Sequence, residues 1–343
     1  MSFVRPFRVK RNWTQADLAR RSGVSRSSIA AIESGALTPS VSAALALARA
    51  LECTVEELFA ADQADESAWA WRPRRTPCGY WTAAFGQKTL IFPAEPVAFV
   101  MLPPDGWSDG AAEAPLLSHD SARSLIFASC DPAAGLLAAI MSQKAGVRLL
   151  SFHRHSQEAL TLLKKGLVHV AGIHLREIDE REGNAEVVLN LLGRGYRLLR
   201  VAVWHEGVAV RPGEGVKTYG EMAASHIRWV GRKEGSGARR CQDKVIGSHK
   251  VPEQVAHNHW EVAVAVSRGW ADAGVCHRLT AEQAGLEFRL VSKEAFDLCY
   301  PVELEGDPRI AALREVVRSP SYRECLGRLS GLETQTTGNE ETV

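Results

Sequence analysis

From Ser124 onward, short apolar runs of strand length alternate with amphipathic stretches of helix length, and this alternation constrains the fold more than any other feature. "SLIFAS" reads as a buried strand, "DPAAGLLAAIMSQKAG" as a helix, "VRLLSF" as a strand, "SQEALTLLKKG" as a helix and "LVHVAGIHL" as a strand. The series resumes with "YRLLRVAVW", "GVAVRP" and "HIRWVG" as strands, a helix after Ser236, "NHWEVAVAVSRG" as a helix, then "ADAGVC", "FRLVS" and "FDLCYP" as strands. Repeated strand–helix–strand units lay their strands in a mainly parallel sheet covered by helices on both faces. Ligands of such sheets sit at the carboxyl ends of the strands, close to helix N-termini.

A chain of 343 residues is too long for one ordinary core, so several domains are expected. The reading is a helical domain over 5–60, a Pro-interrupted linker over 61–79, a small strand-rich module over 80–122, the α/β body over 123–330 and a polar, disordered tail over 331–343. Within the small module, "YWTAAFGQKTLIFP" and "PVAFVML" read as strands and the segment after them as loop, while Trp69 and Trp71 are expected to dock on a neighbouring surface. Seven scattered cysteines without a C-x-x-C pair indicate neither a disulfide framework nor a zinc module, and suit a reducing compartment. With no apolar run long enough to span a bilayer, the chain reads as cytoplasmic, with no membrane partner.

The net charge of +1 is unevenly spread. The first 50 residues hold eight lysines and arginines against Asp17 and Glu33, the pattern of a small basic module on a near-neutral body. "WTQADLARRSGVSRSSIAAIESG" has helix-turn-helix spacing: Thr14 can cap a first helix, Gly23 permits the turn, and Ser25 starts a second helix that buries Ile29 and Ile32. Its outward face carries Arg26, Ser27 and Ser28, short polar groups that fit a major groove, with Arg26 able to pair with guanine or phosphate. Pro6 is expected to shorten the first helix of this segment and so to reduce its share in the core. Over about residues 5 to 60 the segment resembles the Xre type of phage-repressor DNA-binding domain, on Gln15, Leu18-Ala19, Gly23-Val24-Ser25, Ile29, Ile32-Glu33, Pro39 and Leu51. The resemblance implies contacts to a double-stranded DNA operator from Gln15, Ser25, Arg26, Ser27 and Ser28, and binding as a homodimer.

In the body, three strand-to-helix junctions carry small hydroxyl residues: Ser129-Cys130-Asp131, Ser156 and Ser236. "EGSGARR" around Ser236 can present free N–H groups to an anion. From about 123 to 330 the order of motifs resembles the type-II periplasmic-binding-protein-like domain found fused to Xre or other helix-turn-helix modules. The expected fold is therefore multidomain, an all-α helix-turn-helix head plus an α/β two-lobed body. The resemblance implies a one-component transcription regulator sensing a small ligand, either a molybdate- or tungstate-type oxyanion or a small organic molecule. It gives ligand-binding roles to Ser129, Ser156, Ser236, Gly237, Arg239 and His259, with Cys130 and Asp131 beside them. Asp131 caps its helix or, turned into the cleft, favours a ligand with donors over a dianion. The i,i+2 histidines of "HNH" do not make a metal site, and no metal or cofactor is expected. An enzyme on the same fold with Cys130 as nucleophile is the competing class; it needs a base, and the linear sequence sets none beside Cys130.

Overall fold

A computed structural model describes residues 4–59, 68–74, 76–95, 102–110, 113–116, 120–178, 183–213, 218–223, 226–248 and 252–343. The chain divides into two units, one comprising Met1–Ala68 and Gly86–Thr89, the other Trp69–Phe85 and Leu90–Val343.

The first unit is helical: α1 (Val4–Lys10), α2 (Gln15–Ser22), α3 (Arg26–Glu33), α4 (Val41–Ala50) and α5 (Val55–Phe59). Thr14 and Asp17 close a capping box at the start of α2, and Gly23 ends the helix at φ 72°, the left-handed conformation that the tight turn into α3 requires. Ser25 caps α3, accepting a hydrogen bond from the N–H of Ser28. Pro6 does not take α1 out of the core: it lies in the first turn, where a missing N–H costs little, and Val4 is buried against Leu18, Ile29, Ile32 and Leu47. Glu33, half-buried, holds Arg8 through two hydrogen bonds of 2.7 and 2.9 Å and accepts a third from the Gln15 side-chain amide.

Next along the chain is a five-stranded sheet of β1 (Ala68–Trp69), β2 (Cys78–Phe85), β3 (Lys88–Pro93), β4 (Gly106–Ser108) and β5 (Glu113–Pro115), in the order β1-β3-β2-β4-β5. The expected linker thus already contains Trp69 and the start of β2, and the expected loop holds β4 and β5; the strand expected over "PVAFVML" lies almost wholly outside the described residues. Trp71 packs edge-on against Phe92 and Phe152, with its N–H donating to Glu95.

The body alternates as expected: β6 (Ser124–Ser129), α6 (Ala134–Ala145), β7 (Arg148–His153), α7 (Ser156–Lys164), β8 (Val170–Ile173), α8 (Gly183–Leu192), β9 (Tyr196–Val210), α9 (Tyr219–Met222), β10 (Trp229–Arg232), α10 (Gly237–Ile246), β11 (Val255–Ala256), α11 (His259–Ser267), β12 (Ala273–His277), α12 (Arg278–Gln283) and β13 (Glu287–Pro301). Then come α13 (Pro308–Arg318), α14 (Pro320–Gly327), β14 (Leu332–Glu333) and β15 (Glu340–Thr342). The strands run in the order β11-β10-β12-β9-β13-β8-β6-β7. Parallel β6, β7 and β8 build one lobe and parallel β10, β11 and β12 the other.

The 15-residue strands β9 and β13 pair antiparallel along their length and run through both lobes. Near one end β13 borders β8, and at the other end β9 borders β12, so the two strands are the only sheet connection between the lobes among the described residues. Each was expected as two separate strands. Register shifts at Leu290/Ser292 and Phe296/Asp297 interrupt β13, and Gly207 interrupts β9 where a Cβ would stand 2.0 Å from the Arg289 carbonyl oxygen.

The tail is not disordered. Leu332 is buried, β14 and β15 add to the edge of β9, Thr337 donates to the Val201 carbonyl, and Glu340 accepts from Arg314, Arg318 and Tyr300. Its polar side chains find fixed partners on the body, which offsets the lack of apolar area. No helix among the described residues is long and apolar enough to cross a membrane.

Candidate functional site

The carboxyl ends of β6, β8, β10 and β12 and the first residues of α7, α10 and α11 converge between the two lobes, crossed by the hinge strands β9 and β13. The groups brought together there are Cys130 after β6, His174 after β8, Arg232 ending β10, His259 opening α11, His277 ending β12, and Trp204, Glu206 and Glu294 from the hinge strands. All of them are buried.

His174 is the centre. Its Nε2 lies 3.0 Å from Cys130 Sγ and its Nδ1 2.7 Å from Glu294 Oε2; Ser156 Oγ accepts its backbone N–H, and Ser292 donates to the other Glu294 oxygen. Although burial alone would lower it, the Cys130 thiol and Glu294 hold the His174 ring well above the usual histidine range. Gly237 closes the arrangement from the opposite lobe: a Cβ there would stand 2.2 Å from the His174 carbonyl and 2.8 Å from Glu294 Oε2, so only glycine lets the start of α10 approach.

A second group faces this one without being satisfied. Neither carboxyl oxygen of Glu206 has a hydrogen-bond partner among the described residues, nor do His259 Nε2, His277 Nε2 and Arg232 Nε and Nη1. Glu206 Oε1 is 3.7 Å from His259 Nε2 and 4.0 Å from His174 Nδ1. Burial, reinforced by Glu294, pushes Glu206 up to about 8, so its carboxyl keeps a proton at neutral pH. Burial lowers His277 to about 3 and, with Arg232 and His174 nearby, holds His259 well below its usual value. Unpaired polar groups in a dry interior are costly and mark a place where something else supplies the partners.

By distance, two triplets of ligand atoms could hold a metal ion: Cys130, His174 and His259, and His174, Glu206 and Glu294. The hydrogen bonds limit both. His259 Nδ1 accepts the backbone N–H of His277, which leaves the proton on Nε2 and removes the lone pair a metal needs. His174 Nδ1 is already engaged by Glu294. The donor set therefore fits a ligand with hydrogen-bonding groups better than a closed metal centre.

The residues named from sequence divide accordingly. Cys130 and His259 stand in the cluster, and Ser156, Gly237 and Ser236 flank it. The serine hydroxyls are engaged in local structure: Ser129 Oγ accepts the N–H of Asp131, and Ser236 Oγ caps α10 through Arg239 N–H while donating to the Lys233 carbonyl. Asp131 accepts the N–H of Ala133 in the turn before α6 rather than capping the helix, whose N-cap Ala133 has no side-chain cap, and burial raises its carboxyl to about 7. Arg239 is not brought in; its Nε lies 2.8 Å from Asp243 on the next turn of α10. His174 drew notice only as one of several scattered histidines and was given no site role, while Arg232, His277, Glu206 and Glu294 were missed altogether. A signal was there in "AVWHEGVAV", where Glu206 interrupts a mostly apolar run, but not in "SKEAFDLC", where Lys293 and Asp297 stand beside Glu294.

In the head, Ser25, Arg26 and Ser27 are exposed at the start of α3 and Ser28 is half-buried. Gln15 donates its amide to Glu33, which burial alone would push up and which Arg8 and Gln15 together hold below the usual carboxylate range.

Residues 137–318 match the family described as PBP superfamily domain, more than half of the chain. The chain belongs to that family. Residues 5–58 match a family described as Helix-turn-helix, so the chain joins a helix-turn-helix segment to a PBP-superfamily domain. YvgK of Bacillus subtilis is 26% identical over 196 residues; the match takes in 54% of this chain and 63% of YvgK, so the chain spans less than two thirds of that relative. An uncharacterized HTH-type transcriptional regulator of Archaeoglobus fulgidus is 38% identical over 69 residues, 20% of this chain and 94% of its own. Among solved structures, a putative phosphate ABC transporter substrate-binding protein with bound phosphate from Clostridium perfringens is similar with a TM-score of 0.49 at 13% identity, over 61% of this chain and 98% of that one.

Proposed function

We propose that this regulator senses a small organic acid of the cytoplasm in the cleft between its lobes, and that a homodimer of the chain couples lobe closure to the affinity of its heads for operator DNA. The observation that carries the reading is the set of buried, unpartnered groups beneath the helix starts: Arg232 and His259 offer donors, while Glu206 offers both an acceptor and, when protonated, a donor. A bare tetrahedral oxyanion presents acceptors only, and three carboxyls, Asp131, Glu206 and Glu294, stand at the same site. A ligand with an acid group for Arg232 and a hydroxyl, carbonyl or amine for Glu206 satisfies more of them. One observation favours the molybdate- or tungstate-type alternative: with Glu206 protonated, every unpartnered group of the second set can donate.

A thermal-shift screen of the full chain separates these. Small hydroxy, oxo and amino acids are expected to raise the melting temperature, and Arg232→Ala to abolish the rise. Stabilisation by molybdate, tungstate, sulfate or phosphate alone contradicts the organic-acid reading. Because a ligand can shift DNA affinity only through its differential affinity for two arrangements, the stabilising compound should also change operator binding.

A further inference from the structure

The linear sequence sets no base beside Cys130, but folding does. Strands β6 and β8 are parallel neighbours, so the residues that follow them meet, with Cys130 Sγ 3.0 Å from His174 Nε2. Hinge strand β13 then carries Glu294 to the far side of the same ring, 2.7 Å from Nδ1. A nucleophile, a base and a carboxylate that orients the base, each within reach of the next, are the parts that activate a thiol for attack. The tautomer agrees: Nδ1–H donates to Glu294, which leaves Nε2 to take the proton of the thiol. A ring nitrogen of His259 also lies within 4.8 Å of the sulfur, and its Nε2–H, without a partner among the described residues, is a donor for an oxygen gaining charge. The other buried cysteines, Cys241, Cys276 and Cys299, have their thiols pushed up by burial.

We infer that Cys130 is the nucleophile of the cleft and captures a small oxo acid as a reversible thiohemiacetal, with His174 as the proton carrier and Glu294 as a positioning residue. The inference rests on the organic-acid reading of the cleft and adds a bond to it. Sγ, having given its proton to His174, bonds to the carbonyl carbon. The π pair of the C=O bond moves onto the oxygen, which His259 Nε2–H receives and to which His174 returns the proton. No group leaves and nothing is oxidised or reduced; the reverse sequence frees the ligand. Arg232, through its unpartnered guanidinium N–H groups, takes the acid group.

The experiment is iodoacetamide alkylation of the full chain at pH 6.5, read per cysteine by peptide mass spectrometry, with exposed Cys325 as the internal standard. An ordinary thiol is about 1% thiolate at that pH. A thiol with a general base in hydrogen-bond reach attacks faster than one without, so Cys130 should be labelled about tenfold faster than Cys325. His174→Gln should remove the advantage and Glu294→Gln should reduce it. Glyoxylate should protect Cys130 in the wild-type chain while glycolate, the same acid without the carbonyl, should not. Labelling of wild-type Cys130 no faster than Cys325, or equal protection by glycolate, overturns the inference, and neither result depends on whether a variant folds. A slow Cys130 in a chain that organic acids still stabilise sinks the covalent step alone; stabilisation by oxyanions alone sinks the reading beneath it.

Discussion

The head and the cleft both bury charge, and they do so in opposite ways. In the head, Glu33 accepts from Arg8 and Gln15, and no buried side-chain polar atom of the described head residues lacks a partner. In the cleft, Glu206, Arg232, His259 and His277 are left with unpartnered atoms in a drier setting. A satisfied buried network fixes one conformation; an unsatisfied one stores a free-energy cost that a ligand can relieve. The head is thus a rigid scaffold whose function lies on its exposed face, and the cleft keeps its function inside.

The sharpest way to break that comparison is to remove one acid from each region. Glu33→Ala takes the carboxylate from half-buried Arg8, leaving it the Trp13 carbonyl alone, and should destabilise the head by about 1–3 kcal/mol, measured by chemical denaturation together with loss of DNA binding. Glu206→Gln removes no hydrogen bond and should destabilise the ligand-free body by far less. An equal cost at both sites contradicts the distinction.

Next in size is Gly237→Ala. Its Cβ would enter the space held by the His174 carbonyl and Glu294, and overpacking of this kind costs about 1–3 kcal/mol. Because the clash is between lobes, it should weaken binding of the stabilising ligand by about tenfold or more in calorimetric titration while sparing DNA binding by the head.

The pH response follows from groups whose folded values lie above their unfolded ones. Glu206 is raised to about 8 and Asp131 to about 7, and the cleft groups around Glu206 are His174, His259, Glu294, Arg232, Cys241 and Cys276. Between pH 6.5 and 8 the folded chain holds protons that the unfolded chain has lost, so stability falls as pH rises. His174, also raised, acts in the same direction, whereas the histidines held low by burial, His153, His155, His169, His259 and His277, oppose it near pH 6.5, where they are partly charged in the unfolded chain and neutral in the folded one. The ligand-free chain should lose about 2 kcal/mol across it, and Glu206→Gln should flatten the decline. A melting temperature that rises with pH in this range contradicts the assignment of Glu206.

The smallest effect is on the exposed face. Arg26→Ala should weaken operator binding by about 1–2 kcal/mol in a gel-shift or anisotropy titration and leave ligand affinity unchanged.

The head was legible because its signals are local: Thr14, Gly23 and Ser25 fix caps and a turn within a few residues, and the structure uses them so. The alternation of the body was legible for the same reason. The cleft was legible only where it draws on helix starts, which brought Gly237, His259 and Cys130 into view. His174, Glu206 and Glu294 come from strand ends and hinge strands separated by up to 120 residues, and only the sheet order makes them neighbours. The hinge strands themselves were hidden because Gly207 and the irregularities in β13 look like strand ends in a sequence. The tail was misread because its order depends on Arg314, Arg318 and Tyr300, none of them nearby in sequence.

The most direct test of a regulator with its function inside the cleft is operator affinity with and without the acid that stabilises the chain most, in wild type and in Arg232→Ala. The account predicts that the acid changes wild-type affinity by about fivefold or more, and that Arg232→Ala abolishes the change while keeping the ligand-free affinity. An operator affinity indifferent to the acid in the wild type, or shifted equally in the variant, would contradict it.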